Sequence, residues 1–119
     1  MDNLIEVGTL SDMLANYIHV TSGLPIYQST GLRKHIAKRH PDCLKYLDQV
    51  SVILSSPDYI GINPNEKGVT CELVKVLDDN VQLGMKLESG GGYWYVATLH
   101  TITEAKLQRR IVSGRLMVI

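Results

Sequence analysis

Apolar residues in the first half of the chain recur at helical spacing between breaks at glycine and proline. Segment 11–18 opens with a serine suited to an N-cap and has four apolar residues on one helical face, which predicts a first helix. A second helix is predicted from Leu32 to about Arg39, because Pro41 disfavours α geometry at His40. Pro41 suits the first turn of a third helix, which the apolar spacing carries to about residue 54.

In the second half of the chain, after the turn-rich segment from Tyr59 to Gly68, the period changes to two. The alternation predicts three strands joined as an antiparallel meander, at Val69–Leu77, Val81–Glu88 and Tyr93–Ile102. Shorter elements are predicted as strands at Leu4–Val7, Ile26–Gln28 and Arg115–Ile119 and as a helix that begins after Thr103 and ends by Gly114. This order predicts an α+β fold, with N-terminal helices packed on an antiparallel sheet and one late helix.

Length and composition limit the class of protein. The 119 residues fit a single domain, 1–119, and the hydrophobic fraction of 45% is sufficient for a core. No apolar run approaches the roughly 18 residues of a membrane span, and the N-terminus lacks the pattern of a signal peptide. Cys43 and Cys71 lack metal or redox spacing. We therefore expect a cytoplasmic protein with reduced thiols and no membrane contact.

The formal net charge of zero conceals a strong separation of charge along the chain. Segments 29–45 and 101–119 carry net charges of +4 and +3, whereas segments 1–28 and 46–100 carry −3 and −4. If the two basic segments meet in space, they form a positive face that attracts phosphate locally.

The basic helix contains the most concentrated polar chemistry, from Arg33 to His40. His35, Lys38 and Arg39 fall on adjacent positions of one helical face. An imidazole moves protons near neutral pH, and neighbouring cations stabilise charge that develops on phosphate oxygens. A solvated basic face is the alternative, and for a charge run in isolation it is the commoner one. The two histidines lack the i, i+4 spacing of a helical metal site, so we predict no metal.

The last predicted strand and the helix after it supply a second polar group. Strict alternation places Thr98 and His100 on one face of the strand, together with Trp94. A hydroxyl and an imidazole at this spacing can serve a phosphate, and an ordinary structural role is the alternative for each. Arg109, Arg110 and Arg115 form a second basic cluster that can clamp phosphate or, alternatively, complement the helix dipole.

Four segments read IYQSTGLRKHIAKRHPDCLKYL, ILSSPDYIGINPNEKG, CELVKVLDDNVQLGMKL and YWYVATLHTITEAKLQRRIVSGRL. Together they resemble the phage-type barnase–EndoU–colicin–RelE-like nucleases over about residues 26–116. The histidine helix, the Pro-Asp-Tyr-Ile-Gly turn and the Ala-Thr strand before a basic helix carry the resemblance. That family occurs in phage and mobile-element proteins, often as a module of larger polyvalent proteins. The resemblance implies a barnase/RelE-like fold, with helices on a four- or five-stranded antiparallel sheet.

The resemblance also implies a metal-independent ribonuclease without a cofactor. A base activates the ribose 2′-hydroxyl, the oxygen attacks the adjacent phosphate, an acid protonates the 5′-oxygen, and a 2′,3′-cyclic phosphate results. The resemblance makes His35, His40 and Thr98 catalytic candidates and Lys38, Arg39, Arg110 and Arg115 substrate-binding candidates, to which the strand pattern adds His100. His35 acts as base or acid, and Thr98 donates to phosphate. His35 is preferred over His40, because Pro41 makes His40 an equally good capping or interhelix residue.

Two function classes follow from these residues. The first is an RNA-cleaving enzyme, a phage or mobile-element toxin or effector whose target is RNA such as tRNA and which needs an inhibitor partner. It predicts that His35, Thr98 and both basic clusters converge on one surface. The alternative is a non-catalytic module that binds RNA or a host protein on the same scaffold, as an inhibitor or anti-host protein. It predicts a basic face without a proton-transfer pair. If instead the sheet or the Tyr59–Gly68 loop binds a protein partner, an exposed apolar patch is predicted rather than a basic cleft.

Overall fold

Helices and strands lie in the order that the sequence pattern predicts, with two differences. A short strand is added, and the third predicted helix is divided into a 3-10 helix and an α-helix. The computed structural model describes residues 3–119, so Asp2 of the acidic N-terminal segment lies outside the described residues. The strands are β1 (Leu4–Thr9), β2 (Pro25–Ser29), β3 (Tyr59–Gly61), β4 (Thr70–Val76), β5 (Asn80–Leu87), β6 (Trp94–Ile102) and β7 (Leu116–Val118). The helices are α1 (Asp12–Ile18), α2 (Leu32–Arg39), α3 (Val50–Ser55) and α4 (Glu104–Val112), with a 3-10 helix at Pro41–Gln49. The predicted α+β class is confirmed.

The helix starts follow from local hydrogen bonding. The Ser11 side chain accepts from the Leu14 amide at the start of α1, and Thr103 caps α4 in the same way through the Lys106 amide. The segment after Pro41 is a 3-10 helix, not the predicted α-helix. Its repeat of three puts Cys43 and Tyr46 on one side, and both are buried. Apolar spacing over one or two turns does not distinguish the two helix types.

The sheet has seven strands in the order β1-β2-β6-β5-β4-β3-β7. The three long strands β4, β5 and β6 form the predicted antiparallel meander. β1 pairs with β2 antiparallel, β2 pairs with β6 parallel, and β3 joins β4 to β7. The sheet is therefore mixed and wider than the four- or five-stranded antiparallel sheet that we expected. The additional strand β3 has three residues, too few for a periodic signal.

The two faces of the sheet are covered unequally. Helices α1, α2 and α3 and the 3-10 helix pack on one face, where Ile36 and Ile53 join Leu73 and Leu83 in the main core. On the opposite face α4 buries a smaller cluster, in which Leu107 contributes to the packing over Val74, Ile102 and Leu116. Part of this second face remains uncovered beside α4 and is called the open face below. Within residues 3–119, no helix is long and apolar enough to cross a membrane.

A bulge interrupts the pairing of β5 with β6. Gly84 lies opposite Thr98, but the next residue, Met85, lies opposite Val96, so Ala97 is an extra residue in β6. An extra residue reverses the alternation of side chains beyond it, because successive strand residues otherwise point to opposite faces.

The bulge changes which face of the sheet receives the polar residues of β6. Trp94 and Leu99 are both buried in the core beneath the helices, whereas Thr98 and His100 line a pocket on the open face. The strict alternation that placed Thr98 and His100 with Trp94 is therefore wrong, since period-two counting cannot detect one inserted residue. The correction puts both polar groups beside α4.

Candidate active site

A pocket of about 200 Å³ lies on the open face of the sheet. Three strands form its floor, and Arg110 of α4 and Arg115 of the segment after α4 line one side. A space of this size is below the roughly 300–1,000 Å³ of pockets for drug-sized ligands, and it suits a small group such as a phosphate with part of a ribose.

Glycine at position 84 opens the floor of this pocket. The ladder sets Glu72 of β4, Gly84 of β5 and Thr98 of β6 in one row across the sheet. A Cβ atom on Gly84 would lie 2.5 Å from the Thr98 hydroxyl oxygen, inside van der Waals contact. The missing side chain therefore leaves room for the Thr98 hydroxyl, which has no hydrogen-bond partner within residues 3–119. That hydroxyl is free to donate to a ligand.

Glu72 is a carboxylate buried in the pocket floor, with 3% of its surface exposed. It accepts two hydrogen bonds from Arg115, 3.0 Å from Nε to Oε2 and 2.5 Å from Nη2 to Oε1. This bidentate pairing offsets the burial of the carboxylate and leaves Nη1 of Arg115 outside the ion pair. The pair thus holds the Arg115 guanidinium at the pocket while Glu72 cancels much of its charge.

The close approach of two backbones positions Arg115. A Cβ atom on Gly61 would lie 1.7 Å from the carbonyl oxygen of Arg115, so position 61 tolerates only glycine without a backbone shift. Gly61 pairs with Leu116 in the β3–β7 ladder. The glycine that ends the Pro-Asp-Tyr-Ile-Gly segment therefore has a structural reason.

Arg110 is the guanidinium of the pocket that retains its charge uncompensated. Its Nη1 donates to Oε1 of Gln82, a neutral partner, and within residues 3–119 it forms no ion pair. Lys86, the third cationic lining residue of fixed charge besides Arg110 and Arg115, lies 3.3 Å from the carboxylate of Glu66. Burial, followed by the nearby Arg115 charge, lowers the pKa of Arg110 from its ordinary value. A group with such a high ordinary pKa stays cationic, so Arg110 is the principal anion-binding charge here.

Two imidazole rings meet beside the pocket. The rings of His40 and His100 stack with centroids 5.4 Å apart and planes inclined at 29°. Burial lowers the pKa of His100, and the charges of His40, Arg110 and Lys106 lower it further, while Glu72 acts in the opposite direction. His100 is therefore neutral at neutral pH, the form that accepts a proton.

The backbone of His40 joins α2 to the 3-10 helix. Its amide donates to the Ile36 carbonyl at 2.7 Å, and its carbonyl accepts from the Cys43 amide at 2.8 Å. The interhelix role that Pro41 indicated and a role at the pocket are therefore compatible, because the first uses the backbone of His40 and the second its side chain.

The predicted site residues fall into two groups in space. Thr98, His100, Arg110 and Arg115 line one pocket, and His40 contacts it through His100. The other three residues, His35, Lys38 and Arg39, are exposed on α2 and are not among the pocket-lining residues.

Sequence reasoning missed Glu72, Gln82 and Gly84. A signal for Glu72 was present, because a carboxylate in the middle of the apolar run Cys71–Val74 is unusual for a buried strand. Gln82 and Gly84 are polar or small residues at alternate positions of β5, a pattern that marks one face but not what faces it. Within residues 3–119, no group of three or more His, Cys, Asp or Glu side chains is placed to hold a metal ion.

One family of known proteins matches most of the chain. The sequence profile described as "phage-Barnase-EndoU-ColicinE5/D-RelE like nuclease3" matches residues 6–109. The chain belongs to this nuclease family. The resemblance that its segments indicated is thereby confirmed, although the match begins earlier than residue 26 and ends before Arg110 and Arg115. No curated protein and no solved structure matches the chain.

Proposed function

We propose that this member of the nuclease family is a metal-independent endoribonuclease and that its active site is the pocket on the open face. One observation carries the proposal: the imidazole of His100, the hydroxyl of Thr98 and the guanidinium of Arg110 line this pocket together, and the imidazole of His40 stacks on that of His100. These are the groups that phosphodiester cleavage needs for proton transfer, phosphate binding and charge stabilisation.

The proposed reaction is a transesterification within the RNA. Neutral His100 accepts the proton of the ribose 2′-hydroxyl, and the 2′-oxygen forms a bond to the adjacent phosphorus. The bond from phosphorus to the 5′-oxygen breaks, and the imidazole of His40 acts as the acid that donates a proton to that oxygen. The products are a 2′,3′-cyclic phosphate and a 5′-hydroxyl. The lowered pKa of His100 favours its role as the base.

Three further groups act on the phosphate in this proposal. The Thr98 hydroxyl donates to a non-bridging oxygen, and Arg110 stabilises the charge that develops on the phosphate oxygens. Arg115 neutralises Glu72, whose carboxylate would otherwise repel the phosphate. We assign Glu72 and Arg115 to positioning and charge balance.

The proposal extends to the biological setting that the resemblance implies. Residues 1–119 act as one cytoplasmic domain without membrane contact, a toxin or effector of a phage or mobile element with RNA such as tRNA as its target. An active ribonuclease of this kind requires an inhibitor partner. We propose no cofactor for the reaction, because 2′-hydroxyl attack needs only acid, base and electrostatic groups.

A second candidate function is supported by the basic face of α2. Arg33, Lys34, Lys38 and Arg39 are exposed on this helix beside His35, and only Arg33 forms an ion pair within residues 3–119, at 3.9 Å from Asp48. A face of this kind binds RNA or an acidic surface of a host protein without any proton-transfer step. On this alternative the chain is a binding module and the pocket has no catalytic role.

Product chemistry separates the two candidates. Total RNA and a defined oligoribonucleotide are incubated with the purified protein in EDTA, and the product ends are identified by mass spectrometry. We expect 2′,3′-cyclic phosphate ends, and no cleavage at a position whose 2′-hydroxyl is methylated. Products with 3′-hydroxyl and 5′-phosphate ends, or no cleavage of any RNA, would contradict the proposal. The His100→Gln variant controls for contaminating ribonuclease.

A further inference from the structure

A second, larger concavity of about 630 Å³ adjoins the pocket on the far side of α4's C-terminal end. Arg110 and Arg115 line both spaces, so the two adjoin at these side chains. Three apolar residues, Ile62, Pro64 and Met117, form its bed. This space is called the flanking groove below.

The chemistry of the flanking groove is apolar with a cationic rim. Ile62 and Met117 are 46% and 37% exposed, unusually high for large apolar side chains at a concave surface. Arg109 and Arg110 supply most of its charge, since Glu72 cancels much of the charge of Arg115, and within residues 3–119 no carboxylate lines the groove. Arg109 is exposed and forms no ion pair within residues 3–119. An apolar bed beside unpaired guanidinium groups matches a nucleobase joined to a phosphate.

We infer that the flanking groove binds the nucleotide next to the scissile phosphate, with the base against Met117 and Ile62 and the following phosphate at Arg109. This inference rests on the proposed function, because the strand reaches the groove from a phosphate bound at Arg110. The adjacency of the two spaces supports this inference. An RNA strand whose phosphate contacts Arg110 in the pocket can continue into the flanking groove along the other side of the same guanidinium. Arg109 is therefore a substrate-binding residue as well as a helix-terminal charge.

Binding of non-cleavable oligonucleotides tests the inference without relying on catalysis. The probes are a 2′-O-methyl dinucleotide with one phosphodiester and the 2′-O-methyl trinucleotides that extend it at either end. Affinity is measured by NMR titration of the complete chain, with the Met117 methyl signal as a local reporter. We expect one trinucleotide to bind roughly tenfold tighter than the dinucleotide, because one further base and phosphate are engaged, and to shift the Met117 signal.

Two variants isolate the groove, and one serves as a matched control. Arg109→Ala and Met117→Ala should each remove most of the trinucleotide advantage and leave dinucleotide affinity unchanged. Arg109→Ala should also reduce the salt slope of trinucleotide binding by about 0.7, the loss of one phosphate contact on a single strand. Arg109→Lys should restore part of the advantage. The control Lys45→Ala also removes one positive charge, but from the 3-10 helix, where Lys45 lines neither space, and it should change neither affinity.

The outcomes separate the groove from the nuclease proposal. The inference is overturned if the wild-type chain binds the trinucleotides no tighter than the dinucleotide, or if Arg109→Ala weakens both lengths equally. An acidic peptide is titrated in the same way as a probe for a protein partner. The inference is also overturned if the Met117 signal shifts with this peptide and with no oligonucleotide. A length-dependent gain in a chain that cleaves no RNA keeps the groove and rejects the nuclease proposal. Cleavage without a length-dependent gain does the reverse.

Discussion

The imidazole of His40, at the junction of α2 and the 3-10 helix, stacks on the imidazole of His100 in β6, with ring centroids 5.4 Å apart. Sixty residues of sequence separate the two histidines. Because His40 belongs to the helical layer and His100 lines the open face, the contact joins these two parts of the fold. A cation on either ring disfavours a cation on the other. The contact therefore disfavours the charged form of His100 and leaves its imidazole available as a base.

Removal of the His40 ring should raise the pKa of His100. Burial is the largest cause of the lowered pKa and persists in His40→Ala, so the value should move toward its ordinary range without reaching it. An NMR titration of the His100 ring signals in both proteins measures the change. An unchanged or lower pKa in His40→Ala would show that the two rings do not interact electrostatically.

The lowered pKa of His100 should also appear in the pH dependence of stability. The unfolded chain binds the proton near pH 6.5, whereas folded His100 resists it until a lower pH. The free energy of unfolding should therefore be constant above about pH 6.5 with respect to this group and should fall as the pH decreases below that value. Urea denaturation of the wild type and His100→Gln at several pH values isolates the contribution. A difference between them that does not change with pH below 6.5 would contradict the assignment.

The contact between positions 84 and 98 should be visible in a double-mutant cycle. Gly84→Ala places a methyl group 2.5 Å from the Thr98 hydroxyl oxygen, and such overpacking costs about 1–3 kcal/mol. Thr98→Ala removes that oxygen, so the double variant should be more stable than Gly84→Ala alone. Urea denaturation of the four proteins gives the coupling free energy. Additive effects would mean that the pocket floor has more room than the structure indicates.

The buried ion pair of Glu72 and Arg115 makes a further prediction about stability. Glu72→Ala leaves the Arg115 guanidinium without its carboxylate, which should lower the free energy of unfolding by about 3–5 kcal/mol. The double variant Glu72→Leu with Arg115→Met removes both charges and should recover most of that loss, because neither charge then remains unpaired. Equilibrium denaturation compares the three proteins. Equal destabilisation by the single and double changes would show that the pair itself provides the stability.

Much of the fold could be predicted from sequence because the long elements carry strong local signals. The strands β4, β5 and β6 are seven to nine residues long, enough for a strand pattern to be recognised, and Thr103 caps α4 by side-chain chemistry that is visible in the sequence. β3 could not be predicted in this way, since its three residues are held by ladders to β4 and β7.

The site was less predictable than the fold, for two physical reasons. One extra residue at Ala97 reverses the face that Thr98 and His100 occupy, and nothing in the composition of β6 marks it. The contact of His40 with His100 depends on how α2 ends beside β6, which is a tertiary arrangement. The segregation of charge along the sequence suggested one positive face made by both basic segments. Arg110 and Arg115 of the C-terminal segment line the pocket, whereas Lys38 and Arg39 of the other segment do not.

The initial rate of RNA cleavage in EDTA, compared among the wild type, His100→Gln and His35→Gln, tests most directly whether the pocket on the open face is the active site. Circular dichroism at the same pH confirms that all three proteins are folded. The pocket account predicts that His100→Gln loses about 10²–10⁴-fold in rate, the usual contribution of a general acid or base, while His35→Gln cleaves at close to the wild-type rate. Loss of cleavage in His35→Gln with a normal rate in His100→Gln would contradict it and place the chemistry on the exposed face of α2.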